Sequence, residues 1–261
     1  MKKIKILILS DINTSTEKIV KNGLNLTKIL DGEIDFFCVK KPTDIVKKES
    51  QLSVMRTINE KFLEADTQIK KLITEINNDH SIAIHHQVSF GNLKDEISNR
   101  IKETQPDLII LGNKNSKILS FLGDNILELV LKEHQGTVMI ASDKITLEAS
   151  SELSLGLLNE SRLISANNYR DTIVSFAKKP LISFQVKSDT VTDQNKDSKP
   201  ENMVEFVFEN GDNTLTNMGK YMSKNNVQLL FVNRERDKTK EAKYKFGNLA
   251  KELNCSIMLT H

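Results

Sequence analysis

Pro106-Asp107-Leu108-Ile109-Ile110-Leu111-Gly112-Asn113-Lys114-Asn115 reads as a buried parallel strand running into a phosphate-type loop. Four consecutive apolar residues, Leu108 to Leu111, suit a strand covered on both faces. Pro106 is tolerated at the entry because nothing there needs a ladder N–H. Gly112 follows at once, where the backbone must turn sharply or approach a ligand closely. Ser116 to Leu122 is a short amphipathic link, and Gly123-Asp124-Asn125 opens a helix over Ile126–Glu133. Asp124 or Asn125 suits its N-cap, and the free N–H groups of a helix start point at the loop. Strand, glycine turn and helix N-terminus are the parts of a nucleotide pocket.

Upstream, strands and helices alternate. Ile4–Leu9 is an apolar run with Asp11 just past its C-terminal end. Thr14-Ser15-Thr16-Glu17 can cap a helix whose Ile19, Leu24, Leu26 and Leu30 form a stripe closed by Asp31-Gly32. Ile34–Val39 is the second strand. A long amphipathic helix over Lys48–Asn77 should carry Leu52, Val54, Ile58, Phe62, Ile69, Leu72 and Ile73 on or near its inner face. Ile82, Ile84, His86 and Val88 alternate as in a third strand. Gly91-Asn92 starts a helix carrying Leu93, Ile97 and Ile101, and Thr137–Ala141 is a fifth strand. Alternating strands and helices argue a parallel sheet with right-handed crossovers.

The second half repeats the first. Ser142 to Glu152 is polar and serine-bearing, so residues 1–143 are expected to form one domain, 144–152 a linker and 153–261 a second domain. Leu153–Leu158 is its first strand, with Asn159 where Asp11 stood. Tyr169, Ile173, Val174 and Phe176 mark a helix, and Phe184-Gln185-Val186-Lys187 echoes Phe37-Cys38-Val39-Lys40. Ser188–Glu201 is polar, contains Pro200 and reads as a loop replacing the long second helix. Met203–Phe208 is a strand, Asn210–Asn213 a turn, and Leu215 and Met218 belong to a short helix. Val227–Val232 echoes the opening strand, with Asn233 in place of Gly112. Glu252–Leu259 runs parallel to Glu133–Ile140. An internal duplication explains the length better than one large domain does.

The totals exclude several classes. Among 261 residues the net charge is +2, which asks for neither nucleic acid nor an anionic membrane. No apolar stretch reaches membrane-spanning length. The N-terminal run is too short for a signal peptide, is interrupted by Lys5, and lacks a small-residue cleavage site. Cys38 and Cys255 are far apart and read as buried apolar residues of a reduced, cytoplasmic chain. No Cys-x-x-Cys, P-loop or Gly-x-Ser-x-Gly elbow occurs. His85 and His86 adjoin on one strand and so face opposite ways, and His80, His134 and His261 add no ligand spacing; no metal site is expected.

On the strand ending in Asp11, the Phe37-Cys38-Val39 strand, Gly91-Asn92-Leu93 and the block Asp107–Ala141, the chain resembles the universal stress protein family in its tandem form. The resemblance implies two tandem open parallel five-stranded α/β sheets with helices on both faces, of the adenine nucleotide alpha hydrolase-like, Rossmann-like type, the second copy shortened. The family's nucleotide-binding members carry Gly-x-x-Gly, nine residues, then Gly-Ser or Gly-Thr. Here the run is Gly112-Asn113-Lys114-Asn115, seven residues, then Gly123-Asp124. Asn115 replaces the second glycine, though asparagine tolerates a left-handed backbone. The shorter loop moves the helix start, and Asp124 sets a carboxylate where a phosphate would lie.

In an open parallel sheet the ligand crevice lies beyond the C-terminal ends of the strands where the order reverses. For the order the resemblance implies, these strands end at Asp11 and Gly112. The candidate adenine-nucleotide contacts are then Asp11, Val39 (through its backbone, as the resemblance implies), Gly112, Asn113, Asn115, Gly123, Asp124 and Asn125. Asp11 reads equally as a ligand contact or as a capping residue. Lys114 and Lys117 can supply positive charge, and Ser116 or Ser120 can donate to phosphate, although both types are common on solvated surfaces. The second half keeps no glycine pair, and its run Arg234–Lys238 suggests a structural role. The expectation is a non-enzymatic stress-response protein with weak or lost ATP binding and no required cofactor. Its last strands, Thr137–Ala141 and Ser256–Thr260, should pair within the chain as a pseudo-dimer, with further homodimerisation and protein partners left open. The competing expectation is a slow ATP hydrolase in which Asp11 and Asp124 hold Mg²⁺. A small ligand without phosphate is a third.

Overall fold

The computed structural model describes residues 3–40, 51–77, 82–112, 125–148, 152–159, 168–178, 180–186, 203–234 and 246–260. The first half runs β1 (Ile4–Leu9), α1 (Thr16–Leu30), β2 (Gly32–Lys40), α2 (Gln51–Ile76), β3 (Ile84–Phe90), α3 (Leu93–Thr104), β4 (Leu108–Gly112), α4 (Asn125–Glu133) and β5 (Thr137–Ala141). The second runs β6 (Leu155–Leu158), α5 (Asn168–Ser175), β7 (Leu181–Val186), β8 (Met203–Phe208), α6 (Thr214–Lys224), β9 (Leu229–Asn233), α7 (Phe246–Glu252) and β10 (Ser256–Thr260).

All these strands lie in one ten-stranded sheet, ordered β3-β2-β1-β4-β5-β10-β9-β6-β7-β8. Within each half every pairing is parallel, and the second half reads as the reverse of the first. The halves meet where β5 pairs antiparallel with β10, with Met139 opposite Met258, Ile140 opposite Ile257 and Val138 opposite Leu259. All of these side chains are at most 1% exposed. Full burial of such a side chain stabilises by roughly 1.5–3 kcal/mol, so the seam is core rather than a surface contact. Because it is antiparallel, the C-terminal ends of β1 and β4 lie at one end of the sheet, and those of β6 and β9 at the other.

Two apolar layers cover the sheet. Leu93, Ile97 and Ile101 of α3, Ile126 and Val130 of α4, Met218 of α6 and Leu249 of α7 pack one face. Ile19, Val20 and Leu26 of α1, Ala65 and Ile69 of α2, and Ile173 of α5 pack the other. The continuous apolar run of β4 is buried throughout, as a strand covered on both sides requires.

Several local expectations change. Ser15 sits at the start of α1 without a side-chain cap bond. Thr16 does the work instead: its Oγ1 accepts from Asn13 N (2.8 Å) and donates to the Asp11 carbonyl (2.7 Å). α6 opens the same way, with Thr214 Oγ1 accepting from Gly211 N and donating to the Glu209 carbonyl. α1 is closed by Asp31, which itself takes the left-handed conformation at φ 52°. Gly32 begins β2, where an added Cβ would lie 2.7 Å from the Ile4 carbonyl oxygen. Phe62 lies at the margin of the inner face: it is 40% exposed and its ring meets Phe90 of β3 at 6.4 Å, while α2 buries Ala65 and Ile69 against the sheet. Phe176 lies just beyond α5 and is also exposed. α6 spans 11 residues and is not short. The 188–201 segment expected to replace the long helix lies outside the described residues.

The segment leaving β5 is packed rather than loose. Asn22, fully buried on α1, accepts from Leu147 N (2.6 Å) and donates to the carbonyls of Ser142 (3.2 Å) and Ile145 (3.4 Å). Asn25 Nδ2 donates to the Leu147 carbonyl (2.6 Å). Leu147 and Leu153 are completely buried. Ser142 Oγ meanwhile donates to the Asn254 carbonyl (2.7 Å), tying this segment to the second half.

Candidate functional site: the crevice at the strand-order switch

In the first half the strand order reverses between β1 and β4, which place Asp11 and Gly112 at the mouth of the crevice. Gly112 is buried at the end of β4, beside Ala141 of β5. Asp11 is 6% exposed and sits in a tight turn. Asn13 Nδ2 donates to Asp11 Oδ1 (2.7 Å), Ser15 N donates to Asn13 Oδ1 (2.7 Å), and Ser10 Oγ donates to the Asp11 carbonyl (3.0 Å). The carboxylate is therefore fixed in direction by a side-chain amide, and its turn is built by hydroxyls. A polar group held this way loses little freedom on contact with a ligand.

The floor on the β2 side follows from register. β1 accompanies β2 only as far as Leu9 opposite Phe37, whereas β3 accompanies it to Phe90 opposite Lys40. Cys38, Val39 and Lys40 thus run past the end of β1 towards the crevice. Val39 is buried, and Gly91 N donates to the Lys40 carbonyl (3.2 Å). Burial pushes the Cys38 thiol up to about 11; Lys40 opposes the shift and the Asp11 charge adds to it. The thiol stays protonated at neutral pH and offers no nucleophile. Burial likewise pushes Cys255 up to about 12.

Of the residues singled out from sequence, Asp11, Val39 and Gly112 are brought to one end of the sheet, and Asn125 begins α4. Asn113, Lys114, Asn115, Ser116, Lys117, Ser120, Gly123 and Asp124 lie outside the described residues. Among the described residues no three His, Cys, Asp or Glu side chains come together as a metal site. His85 and His86 part as adjacent strand residues must. His86 Nε2 lies 2.8 Å from Asp66 Oδ1 on α2, while His85 is exposed.

Two other clefts stand apart from the crevice. One, of about 340 Å³, is lined by Phe206, Val207, Phe208, Asn217, Lys220 and Tyr221 at the β8 edge. The other, of about 190 Å³, lies at the opposite end of the first half from Asp11, beside Lys5, Asp35, His85 and Arg100. Arg100 grips both Asp35 oxygens there through Nε (2.8 Å) and Nη2 (2.7 Å). Burial opposes the Arg100 charge, but Asp35 and Glu103 outweigh it and hold its pKa above the ordinary value.

Sequence reading missed Arg234. It follows β9 directly, is 7% exposed, and donates to three carbonyls, one in the last turn of α4 and two just beyond it. Nη1 reaches Gly136 (2.5 Å), and Nη2 reaches Leu131 (2.6 Å) and His134 (2.9 Å). The sequence marks the run Arg234–Lys238 as structural without singling out Arg234. Its partners are main-chain oxygens, which leave no side-chain signature in a sequence.

No family model matches the sequence, and no curated protein matches it. Solved structures share its fold. A universal stress protein from Archaeoglobus fulgidus DSM 4304 superposes over 98% of this chain and 95% of its own, with a TM-score of 0.65 at 14% identity. A protein of unknown function from Pseudomonas aeruginosa PAO1 does so over 98% and 92%, with a TM-score of 0.54 at 8% identity. The chain has the universal stress protein fold, carried over its whole length by a doubled sheet. At these identities the likeness is one of fold.

Proposed function

We propose that this chain is a non-enzymatic regulatory protein of the universal stress type, acting in the cytoplasm by binding a small ligand or a protein partner. The observation that carries this reading is the contrast between the ends of β4 and β9. The first half keeps a glycine, Gly112, and an oriented carboxylate, Asp11, at its switch point; the second has Asn233 and a buried arginine there. One crevice is fit for a ligand and the other is built into the structure. An adenine nucleotide held weakly in the first half is the preferred ligand. Val39 would face adenine through its backbone, and Asp11, at the strand-order switch, would contact the ligand. On this reading the chain acts as a self-contained pseudo-dimer, supported by the β5–β10 pairing, and requires no cofactor.

Calorimetry of ATP and ADP, with and without Mg²⁺, tests this beside Gly112→Val. Micromolar binding abolished by the valine is the expected result. No heat at millimolar nucleotide would overturn nucleotide binding and turn the search to ligands without phosphate. ATP hydrolysis is the second reading, and Asp11 at the crevice favours it. Metal-dependent phosphate release lost in Asp11→Ala would replace the non-enzymatic reading.

A further inference from the structure

The second half has its own switch point, between β6 and β9. Because β5 and β10 are antiparallel, its mouth lies at the end of the sheet where α4 terminates and β4 begins. Two side chains at that mouth reach into the first half. Arg234, one residue beyond β9, donates to the Leu131, His134 and Gly136 carbonyls. Tyr169, in the first turn of α5, has its phenol raised by burial first and then by nearby Asp107. Asp107 accepts from Lys5 N (2.9 Å) and so fixes the starts of β1 and β4 together.

The chemistry at Arg234 is that of a cation at a helix C-terminus. Leu131 lies in the last turn of α4, whose final carbonyls lack intrahelical partners and together carry about half a negative charge; His134 and Gly136 follow it directly. A guanidinium presents its donors in a fixed plane and can bridge several such oxygens, whereas an ammonium presents a single point. The site is tight: an added Cβ on Gly136 would lie 2.6 Å from the His134 ring and 2.8 Å from the Asp107 carbonyl oxygen. The opposite end of α4 faces the first-half crevice, since a crossover helix starts where its preceding strand ends.

We infer that the switch point of the second half is a clamp whose occupant is the first half itself, with Arg234 seating α4. The clamp sets the position of the α4 N-terminus and hence the ligand affinity of the first-half crevice; this last step rests on the functional reading above. Arg234 is a positioning residue. Coupling of this kind is reciprocal, so a ligand in the crevice also tightens the clamp.

The experiment is hydrogen exchange on the full chain, comparing wild type, Arg234→Met and Arg234→Lys. The amides of α4 should exchange about tenfold faster in Arg234→Met while those of α1 and β2 keep their wild-type rates. Arg234→Lys should recover only part of the protection, because one ammonium cannot span three carbonyls. Equal acceleration of α4 and α1, or full recovery by lysine, would overturn the clamp. Should wild type bind ATP, Arg234→Met should weaken it about tenfold, and unchanged affinity would sink the coupling. If wild type binds no ATP, the nucleotide reading fails while the exchange result still decides the clamp.

Discussion

In the first half β4 ends on Gly112 beside Ala141; in the second, β9 ends on Asn233 and continues into Arg234. The two ladders are otherwise equivalent, and apolar runs of the same length are buried at the same places in the sheet. A parallel strand needs only burial along its length, so its body tolerates divergence among apolar residues. Its C-terminal end faces the crevice, and a single residue there decides whether backbone is left for a ligand or a side chain is spent on structure. Asn159, directly beyond β6, takes the place of Ser10 and not, as expected from sequence, of Asp11: its N–H donates to the Phe184 carbonyl (2.7 Å) as that of Ser10 does to Phe37 (3.3 Å). It takes φ 52° and accepts from Val186 N through Oδ1 (2.5 Å).

The comparison can be broken at the seam. Met258→Glu would bury a carboxylate directly opposite Met139 in a strand with no water access. A loss above about 4 kcal/mol is expected, enough to abolish cooperative unfolding near room temperature in urea titrations. A loss below about 1 kcal/mol would mean that the halves do not depend on their shared edge. A smaller loss is expected from Asn22→Ala, which strips three hydrogen bonds from the segment joining the halves. It leaves Leu147 N buried without its acceptor, at a cost of about 2–3 kcal/mol. Urea denaturation measures it, and a neutral result would show the segment to be a tether only. The smallest effect sharpens the difference in outer strands. His86 and Lys70 hold the Asp66 carboxyl below its usual range, Lys70 being the larger influence. A depressed carboxylate stabilises above its unfolded pKa and loses that contribution as pH falls through the folded value. Asp66→Asn should therefore lower stability at neutral pH by less than about 1 kcal/mol and flatten its fall below about pH 4. A thermal melt series from pH 7 to pH 3 tests this.

Much of the fold is legible in the residues. The runs Ile4–Leu9, Thr137–Ala141 and Met203–Phe208 read from sequence with the bounds the strands have. Each is mainly apolar, with Lys5 and Glu205 as the charged interruptions, and is bounded by polar or turn residues. α2 is less legible. Its apolar residues spread around much of the helix, so periodicity alone does not single out Ala65 and Ile69 as the buried ones or leave Phe62 at the margin. Asp31 hid in the same way, since a glycine beside it is the commoner left-handed residue. Asn22 lay within the α1 stripe as an ordinary polar interruption. At the candidate site, Asp11 and Gly112 are legible because strand ends and glycines have local reasons. Arg234 was not legible, because its partners are carbonyl oxygens a hundred residues away in sequence and present in every chain.

The hydrogen-bonded passage from Ser142 to Leu147 has a consequence for concentration. Two separate sheets joined edge to edge would come apart on dilution, and their behaviour would follow expression level. Here each β10 always has a β5 within reach on its own chain, at an effective concentration set by a short, anchored connection. Closing the sheet is a first-order event. The number of complete ten-stranded molecules then equals the number of chains, whether the cell holds few copies or many.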